Sequence, residues 1–245
     1  PQIWDAAELA FTEEKSAEVL CGILERNGFA VERNLAGIKT AFKGTYGTGS
    51  SVIGFLGEFD ALSGLSQEAG VCVPKPIKEG GAGHGCGHNL LGAASLDAAI
   101  ACKEYLEQMH QKGTVIYFGC PGEEGGSGKA FMAKNHVFDS LDIALTWHPG
   151  TVNSVSSGSS LANIQAKYHF YGVSAHAASC PYLGRSALDA VELMNVGANY
   201  LREHIIPDAR LHYAVTNTGG SMPGVVQSYG EVIYLIRAPK INQVQ

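Results

Sequence analysis

The chain has 245 residues, of which 45% are hydrophobic, and it carries a formal net charge of −6 at pH 7. This acidic balance, with no basic block, argues against nucleic acid as a partner, and the chain has no run of about 18 apolar residues that would indicate a membrane helix. The six cysteines are scattered rather than spaced as a secreted disulfide framework, which favours a reducing cytoplasm.

The two ends of the sequence suggest truncation. The first residue is Pro1 rather than Met, a helix is already under way at Ile3, and the last residues follow a strand-like segment without closing an element. The amino terminus also lacks the charged-then-apolar pattern of a secretory signal. We therefore expect this chain to be cut at both ends.

The first two thirds of the chain alternate between helical and strand-like patterns. Apolar residues with helical spacing end at Gly28, and the runs SVIGFLG and TVIYFG are nearly continuous apolar segments typical of buried parallel strands. The predicted elements in chain order are a helix at 6–27, short strands at 29–31 and 38–43, a strand at 51–57, a helix at 90–109 with Asn89 as its N-cap, a strand at 114–119, a helix at 129–135 and a strand at 141–146. This alternation predicts an α/β domain with a mostly parallel sheet.

The pattern changes after about Ser160. Strands are predicted at 162–171, 211–215 and 232–237, with an amphipathic helix at 185–204 after the first of them. This β-α-β-β order predicts a small α+β domain of ferredoxin-like type that lacks its last helix and strand. We therefore expect two domains, at residues 1–161 and 162–245.

The segment GHGCGH brings three candidate metal ligands, His84, Cys86 and His88, within five positions. Thiolate and imidazole are the ligands that zinc and its first-row neighbours prefer. The intervening glycines let the backbone bend so that side chains two positions apart can face one ion. The alternative is a tight loop with an incidental thiol, and this segment alone does not decide between the two.

Polar residues follow each of the three strands predicted to be buried. Glu58 and Asp60 follow the first strand, Glu123 and Glu124 follow TVIYFG, and His148 follows LDIALT. In open α/β sheets, ligands bind outside the carboxyl ends of the strands. We therefore expect these side chains and the Cys-His segment to meet at one edge of the sheet.

The dipeptide in PGEEGG and the histidine in TWHPG each allow two interpretations. Adjacent carboxylates in a glycine-rich loop are usually a solvated acidic turn, but beside a metal one can ligate the ion while the other carries protons. His148 can be a packed histidine beside Trp147, or a ligand at a strand end. The other candidate ligands favour ligation in both cases.

Taken together, these motifs resemble the M20 metallopeptidase family. The similarity is to its aminoacylase and amidohydrolase branch, in particular the group typified by the B subunits of aminobenzoyl-glutamate hydrolases. It extends over essentially the whole chain, and the motifs occur in the order found in the family. The segments that carry it are GEFDAL at 57–62, GHGCGHNLLG at 83–92, Glu123-Glu124, Trp147-His148-Pro149 and SAHAA at 174–178.

The resemblance implies a zinc-peptidase-like catalytic domain with an inserted lid domain that also dimerises. It makes Cys86, His88, Glu124 and His148 metal ligands and Glu123 the general acid and base. The cofactor it implies is one or two divalent ions, zinc or manganese. The reaction it implies is hydrolysis of an amide bond in a dipeptide or N-acyl amino acid, such as an aminobenzoyl-glutamate-like substrate, by metal-activated water.

Further residues receive roles from the same resemblance. Asp60 matches an aspartate that orients a ligand, and His176 matches a lid histidine that reaches the site of the partner copy and stabilises the oxyanion. Arg237 is a weaker candidate for binding a substrate carboxylate. His84 matches no ligand and is expected near the site without binding the ion.

The sequence also departs from the family pattern. Relatives carry another histidine ligand toward the carboxyl terminus, and this chain stops before such a segment. Gly224 stands where the family usually has a substrate-contacting asparagine, and Asn89 stands where many aminoacylases have aspartate. An inactive fragment, or a non-enzymatic dimerising homologue, is therefore the alternative to a working hydrolase.

Overall fold

The computed structural model describes residues 1–155 and 158–245. The chain separates into two compact units, unit 1 at Pro1–Asn153 and unit 2 at Ser154–Gln245. Each unit has its own cluster of buried apolar side chains. Among the described residues, no helix is both long and apolar enough to cross a membrane. The catalytic and lid roles expected for the two domains, with a boundary after residue 161, stay predictions.

Unit 1 is built around a mixed sheet with helices on both faces. Its elements are α1 (Gln2–Ala6), α2 (Glu14–Arg26), β1 (Ala30–Arg33), a 3-10 helix (Leu35–Gly37), β2 (Phe42–Thr48), β3 (Val52–Gly57), α3 (His88–Gln108), β4 (Gly113–Gly119), the single turn α4 (Glu123–Gly126), α5 (Gly128–Lys134) and β5 (Ile143–Leu145). In this part of the described chain the strand order is β1-β2-β4-β3-β5.

The central strands of this sheet run parallel. β3 pairs in parallel with β4 and with β5, whereas β1 and β2 continue the sheet in antiparallel fashion. The register places Gly57 opposite Gly119, so β3 and β4 end at the same level. The predicted α/β fold is confirmed, and residues that follow β3 and β4 leave the sheet at one edge.

Burial on both faces explains why the sequence of β4 is a nearly continuous apolar run. Val115 and Tyr117 pack on one face of the sheet with α2 and α3, while Ile116 and Phe118 pack on the other face beside Met132 of α5. Both faces of β4 are therefore covered by helices, and each fully buried side chain of this size contributes about 1.5–3 kcal/mol to stability.

Two predicted helix starts in unit 1 were wrong. The helix predicted from residue 6 begins at Glu14, because Ala7 (φ 41°) and Phe11 (φ 64°) have left-handed backbone conformations that interrupt a helix. The helix predicted to start after Asn89 begins at His88, and its N-cap is Gly87 with φ 81°. Asn89 therefore lies inside the first helical turn, and the flexible glycine makes the sharp entry.

Unit 2 pairs an antiparallel sheet with one long helix. Its elements are β6 (Ala162–Tyr171), a 3-10 helix (Pro181–Leu183), α6 (Ala187–Leu201), β7 (Arg210–Asn217), β8 (Tyr229–Ala238) and α7 (Ile241–Val244). The strand order in this unit's described residues is β6-β8-β7, which places the first and third strands side by side as in ferredoxin-like folds. Val191 of α6 packs against Val232 and Tyr234 of β8 in the core.

Candidate metal centre

The Cys-His segment is fixed beside the end of β3 by backbone pairing. The N–H of Leu62 donates to the carbonyl of Gly83, and the N–H of Gly83 donates back to Leu62, both at 2.9 Å. α3 then packs closely against the residues that follow β3. A Cβ atom at Gly92 would lie only 2.6 Å from the carbonyl oxygen of Glu58, so the close packing requires glycine there. This close approach sets His88, on the first turn of α3, directly behind the edge of the sheet.

His88 is fully enclosed, with none of its side chain exposed to solvent. Its Nδ1 lies 2.9 Å from Oδ1 of Asp60, and the other oxygen of Asp60 accepts from the N–H of Glu124 at 2.8 Å. Burial alone would lower the pKa of His88, but the neighbouring carboxylates of Asp60 and Glu58 outweigh it and raise that pKa to about 10. With Nδ1–H donated to Asp60, Nε2 is the ring nitrogen left to face the site.

His148 has the same arrangement. Its Nδ1 lies 3.0 Å from the carbonyl oxygen of Pro149, and its Nε2 lies 3.3 Å from Sγ of Cys86. The neighbouring Trp147 donates its indole N–H to the carbonyl of Leu91 at 3.3 Å, which holds this strand end against α3. The ligand atoms of Cys86, His88 and His148 all lie within 4.8 Å of one another.

Cys86 stands among negative charges. Burial, followed by the Glu124 carboxylate beside the thiol and by the charges of Glu123 and Glu58, raises the pKa of Cys86 to about 11. A thiol in this setting stays protonated at pH 7 unless a cation offsets the carboxylates. Glu124 lies beside the thiol, although its oxygens fall outside the groups of ligand atoms that meet within 4.8 Å in the described residues.

Glu58 and Glu123 form a second group around His88. The Glu58 Oε2 atom is 3.0 Å and the Glu123 Oε2 atom 3.9 Å from Nε2 of His88. Burial opposes ionisation of Glu58, but His88 and the ammonium of Lys129 hold its pKa at about 2. Burial and the Glu58 charge raise the pKa of Glu123, which is 44% exposed. The site therefore offers one firmly ionised carboxylate and one that protonates more readily.

The donor set fits a divalent first-row ion. Three buried side-chain atoms of the site have no hydrogen-bond partner among the described residues: Glu58 Oε2, His88 Nε2 and Glu124 Oε1. Buried polar atoms without partners are costly, and a metal ion bound among them in place of the His88 proton would satisfy them. A thiol, two imidazoles whose other nitrogens bind oxygen acceptors, and nearby carboxylates are ligands typical of zinc.

The other predicted site residues lie elsewhere. His84 is buried, with Nε2 2.9 Å from the carbonyl oxygen of Ile3, and it belongs to neither group of ligand atoms in the described part of the chain. His176 lies in unit 2, where its Nδ1 accepts from two backbone N–H groups at 3.2 Å. Arg237 is an exposed residue of β8. The roles predicted for His176 and Arg237 stay predictions.

Glu13 and Lys129 were not predicted to lie at the site, and Glu58 was predicted only to lie at the edge of the sheet. Glu13 is fully buried, and its two oxygens accept from the N–H of Gly122 at 2.8 Å and from the Thr40 hydroxyl at 2.9 Å. It thereby fixes the turn that carries Glu123 and Glu124. A carboxylate just before a helix is ordinarily solvent-exposed, so the sequence gives no signal for this contact.

Comparison with curated proteins finds matches that extend over the whole of this chain, although no family model matches it. The B subunit of the p-aminobenzoyl-glutamate hydrolase of Escherichia coli (strain K12) is 57% identical over 244 residues, covering 100% of this chain and 51% of that protein. The Xaa-Arg dipeptidase of Mus musculus is 31% identical over 256 residues, covering 99% of this chain and 55% of that protein. The chain thus spans about half the length of the curated relatives it matches.

Solved structures share the fold of the chain. An aminobenzoyl-glutamate utilization protein from Klebsiella pneumoniae superposes with a TM-score of 0.64 at 19% identity, covering 98% of this chain and 65% of that one. A dinuclear metal-binding peptidase of the M20 family from Bacillus subtilis gives a TM-score of 0.61 at 19% identity, covering 98% and 64%. At this identity the likeness shows the fold alone.

Proposed function

We propose that the chain is part of a metal-dependent hydrolase of the M20 type that cleaves an amide bond, because it is similar over its whole length to a hydrolase subunit and a dipeptidase and shares the fold of an M20 peptidase. The observation that carries the proposal is the pair of histidines beside Cys86. His88 and His148 each have Nδ1 near an oxygen acceptor, and each presents Nε2 to the space beside the thiol. A purely structural histidine pair does not require this arrangement, whereas histidines that bind a metal almost always have it.

We assign the ion to Cys86, His88, Glu124 and His148. A bound divalent ion, zinc or manganese, would polarise the amide carbonyl and lower the pKa of a water molecule. Asp60 orients this set, since one of its oxygens faces His88 and the other accepts from the backbone of Glu124. The family resemblance supports Glu124 as a ligand, and so does its buried Oε1 atom, which has no hydrogen-bond partner among the described residues. The Glu124 carboxylate lies beside the thiol of Cys86.

Glu123 is the proposed proton carrier. Its carboxylate is partly open to solvent, and its pKa is raised above the usual glutamate range by burial and by Glu58. A carboxylate of this kind accepts a proton from the attacking water and returns it to the nitrogen of the leaving amine. The Oε2 atom of Glu123 lies 3.9 Å from Nε2 of His88, and this short distance to a proposed ligand supports the role.

The proposed substrate is a dipeptide or an N-acyl amino acid with a free carboxylate. The Escherichia coli relative is named for p-aminobenzoyl-glutamate, and the mouse relative for Xaa-Arg dipeptides. Each of these compounds contains an amide bond to the nitrogen of an amino acid. We assign Arg237 to the substrate carboxylate and His176, from a partner copy, to the developing oxyanion.

The outer face of α6 supports a homodimer. Leu193, Val196 and Tyr200 follow one another at helical spacing, and 73%, 49% and 72% of these residues are exposed. We name these three residues the α6 stripe. Val191, on the other face of the helix, is fully buried in the core of unit 2, so the stripe points away from the sheet. Exposed apolar stripes of this kind mark protein interfaces, and a second copy is the occupant we propose.

The cysteine chemistry supports a cytoplasmic location for this enzyme. All six cysteines are free thiols, and two of them, Cys21 and Cys120, are buried within unit 1. A reducing compartment keeps such thiols unpaired.

The test combines metal analysis with a substrate panel. The purified protein is analysed for bound metals and incubated with p-aminobenzoyl-glutamate, Xaa-Arg dipeptides and N-acyl amino acids. We expect at least one ion per chain and hydrolysis of one substrate class, lost on chelation and restored by zinc or manganese. A protein that binds the ion stoichiometrically but hydrolyses none of the panel would instead be a non-catalytic homologue.

A further inference from the structure

We propose that Glu58 is an additional ligand of the ion that His88 binds, and that Lys129 holds it in position. The inference rests on the proposed function, because it concerns the same metal centre. It adds a carboxylate that the family resemblance does not place among the ligands. It also gives a reason for the ion pair between Glu58 and Lys129 at the edge of the sheet.

Glu58 is placed for this role by its position after β3. The residue is 7% exposed, and its Oε1 atom accepts a hydrogen bond from the ammonium of Lys129. Its Oε2 atom has no hydrogen-bond partner in the described part of the chain, and neither has Nε2 of His88. These two buried atoms are 3.0 Å apart without forming a hydrogen bond.

The chemistry of the two atoms favours a cation between them. His88 faces Asp60 with Nδ1, so Nε2 carries a lone pair in the neutral ring, as Oε2 of Glu58 does. A buried carboxylate oxygen and a ring nitrogen at this distance need a cation between them, either a proton or a metal ion, and a metal ion that replaces the proton satisfies both atoms.

The spacing of the atoms agrees with shared ligation. Zinc binds nitrogen and oxygen at about 2.0–2.2 Å, so two such ligands on one tetrahedral or octahedral ion lie about 3–3.5 Å apart. The separation between Glu58 and His88 is 3.0 Å, and the Cys86 sulfur is 3.3 Å from Nε2 of His148. Glu58 thus stands at ligand distance from His88, as Cys86 does from His148.

A simpler alternative is that Glu58 only neutralises Lys129. That role requires an oxygen facing the ammonium, which Oε1 already supplies. It does not account for Oε2 of Glu58, which is buried next to Nε2 of His88 instead of being solvated. The two roles differ in what each side chain does to metal affinity, and this difference can be measured.

The experiment is a Co²⁺ titration of the purified protein, followed by visible absorption, which reports the coordination of the ion directly and does not depend on turnover. Three variants are compared with the wild type: Glu58→Gln, which keeps the shape and removes the charge; Lys129→Gln, the matched control; and Cys86→Ser, the positive control. Circular dichroism establishes that each variant is folded. If Glu58→Gln does not fold, the double variant Glu58→Gln/Lys129→Gln, which leaves no unpaired ammonium, takes its place.

We expect Glu58→Gln to weaken Co²⁺ binding by about tenfold or more and to change the absorption spectrum, because a ligand is lost. Lys129→Gln should weaken binding far less, since Glu58 remains. Equal affinities and spectra for wild type and Glu58→Gln, together with weakened binding in Cys86→Ser, would overturn this inference and leave the proposed function intact. Failure of the wild type to bind Co²⁺ would overturn both.

Discussion

Unit 1 and unit 2 bury different kinds of side chain. Nearly all buried polar residues of the described chain lie in unit 1, and four of them, Glu58, Asp60, His84 and His88, lie at or beside one edge of its sheet. In the described part of unit 2, Asn195 is the buried polar residue, and α6 instead exposes the apolar stripe described above. Buried carboxylates and imidazoles cost several kcal/mol unless they find partners. The contrast is the one we expect if unit 1 carries the proposed chemistry and unit 2 the proposed association.

The strongest test of this division removes the proposed base. Glu123→Ala should reduce turnover by about 10²–10⁴-fold, the usual contribution of a positioned acid or base. Metal content should stay nearly unchanged, because the proposed ligand set contains Glu124 and assigns Glu123 to proton transfer instead. Turnover is followed by product release and metal content by elemental analysis, with Glu124→Ala as the comparison that should lose the ion. Loss of metal in Glu123→Ala would mean that the two glutamates have exchanged roles.

Proton release on metal binding sharpens the picture of unit 1. In the metal-free protein the pKa of His88 is raised to about 10 and that of Cys86 to about 11, so both are protonated at pH 7. Ligation requires both to be deprotonated, and binding should therefore release about two protons and strengthen by up to about a hundredfold per pH unit between pH 7 and 9. Calorimetry in buffers of different ionisation enthalpy measures the release, and Cys86→Ser should reduce it to about one. Release of no protons would contradict the ligand set.

The association proposed for unit 2 can be tested on α6. Leu193→Lys places a charge within the α6 stripe and should raise the dimer dissociation constant by about tenfold or more. Light scattering across a concentration series measures it. The matched control is Ile77→Lys in unit 1, since Ile77 is 71% exposed and Leu193 is 73% exposed. Equal dissociation constants for both variants would remove α6 from the interface.

The smallest expected effect is a loss of stability in unit 2, where the described residues contain one buried hydrogen bond between side chains. Tyr234 donates its hydroxyl to Oδ1 of Asn195 at 2.7 Å between β8 and α6. Tyr234→Phe leaves that oxygen without its donor and should lower the free energy of unfolding by about 1–3 kcal/mol. Chemical denaturation measures the change, and Tyr168→Phe, on a partly exposed tyrosine whose ring contacts Tyr234, should cost less. If both variants lose the same stability, the buried hydrogen bond contributes nothing of its own.

The sequence predicted best where burial dictates composition. β4 is covered on both faces, so its apolar run identified a parallel strand nearly to the residue. β2 was the opposite case: the prediction covered 38–43, whereas the strand is Phe42–Thr48. Its last five residues, GTYGT, contain two glycines that weaken strand propensity, and pairing with β1 and β4 outweighs that weakness.

The site was predictable in composition and only partly in geometry. Ligand spacing pointed to His84, Cys86 and His88, and a strand end pointed to His148. The family resemblance removed His84, and the structure brings the other three together. The contacts of Glu58 with Lys129, and of Glu13 with Gly122, join residues 71 and 109 positions apart, and no local pattern encodes them. The predicted start of α3 was wrong for a related reason: it depends on the left-handed backbone of Gly87 and not on the Asn89 side chain.

The two contacts of Asp60 constrain how this protein can evolve. One of its oxygens fixes the ring of His88, and the other fixes the backbone of the glutamate turn. Any substitution at this position therefore disturbs two functions at once, and no single change there can adjust one while sparing the other. We expect descendants with altered reactions to vary in the loops around this carboxylate, while the carboxylate itself is retained.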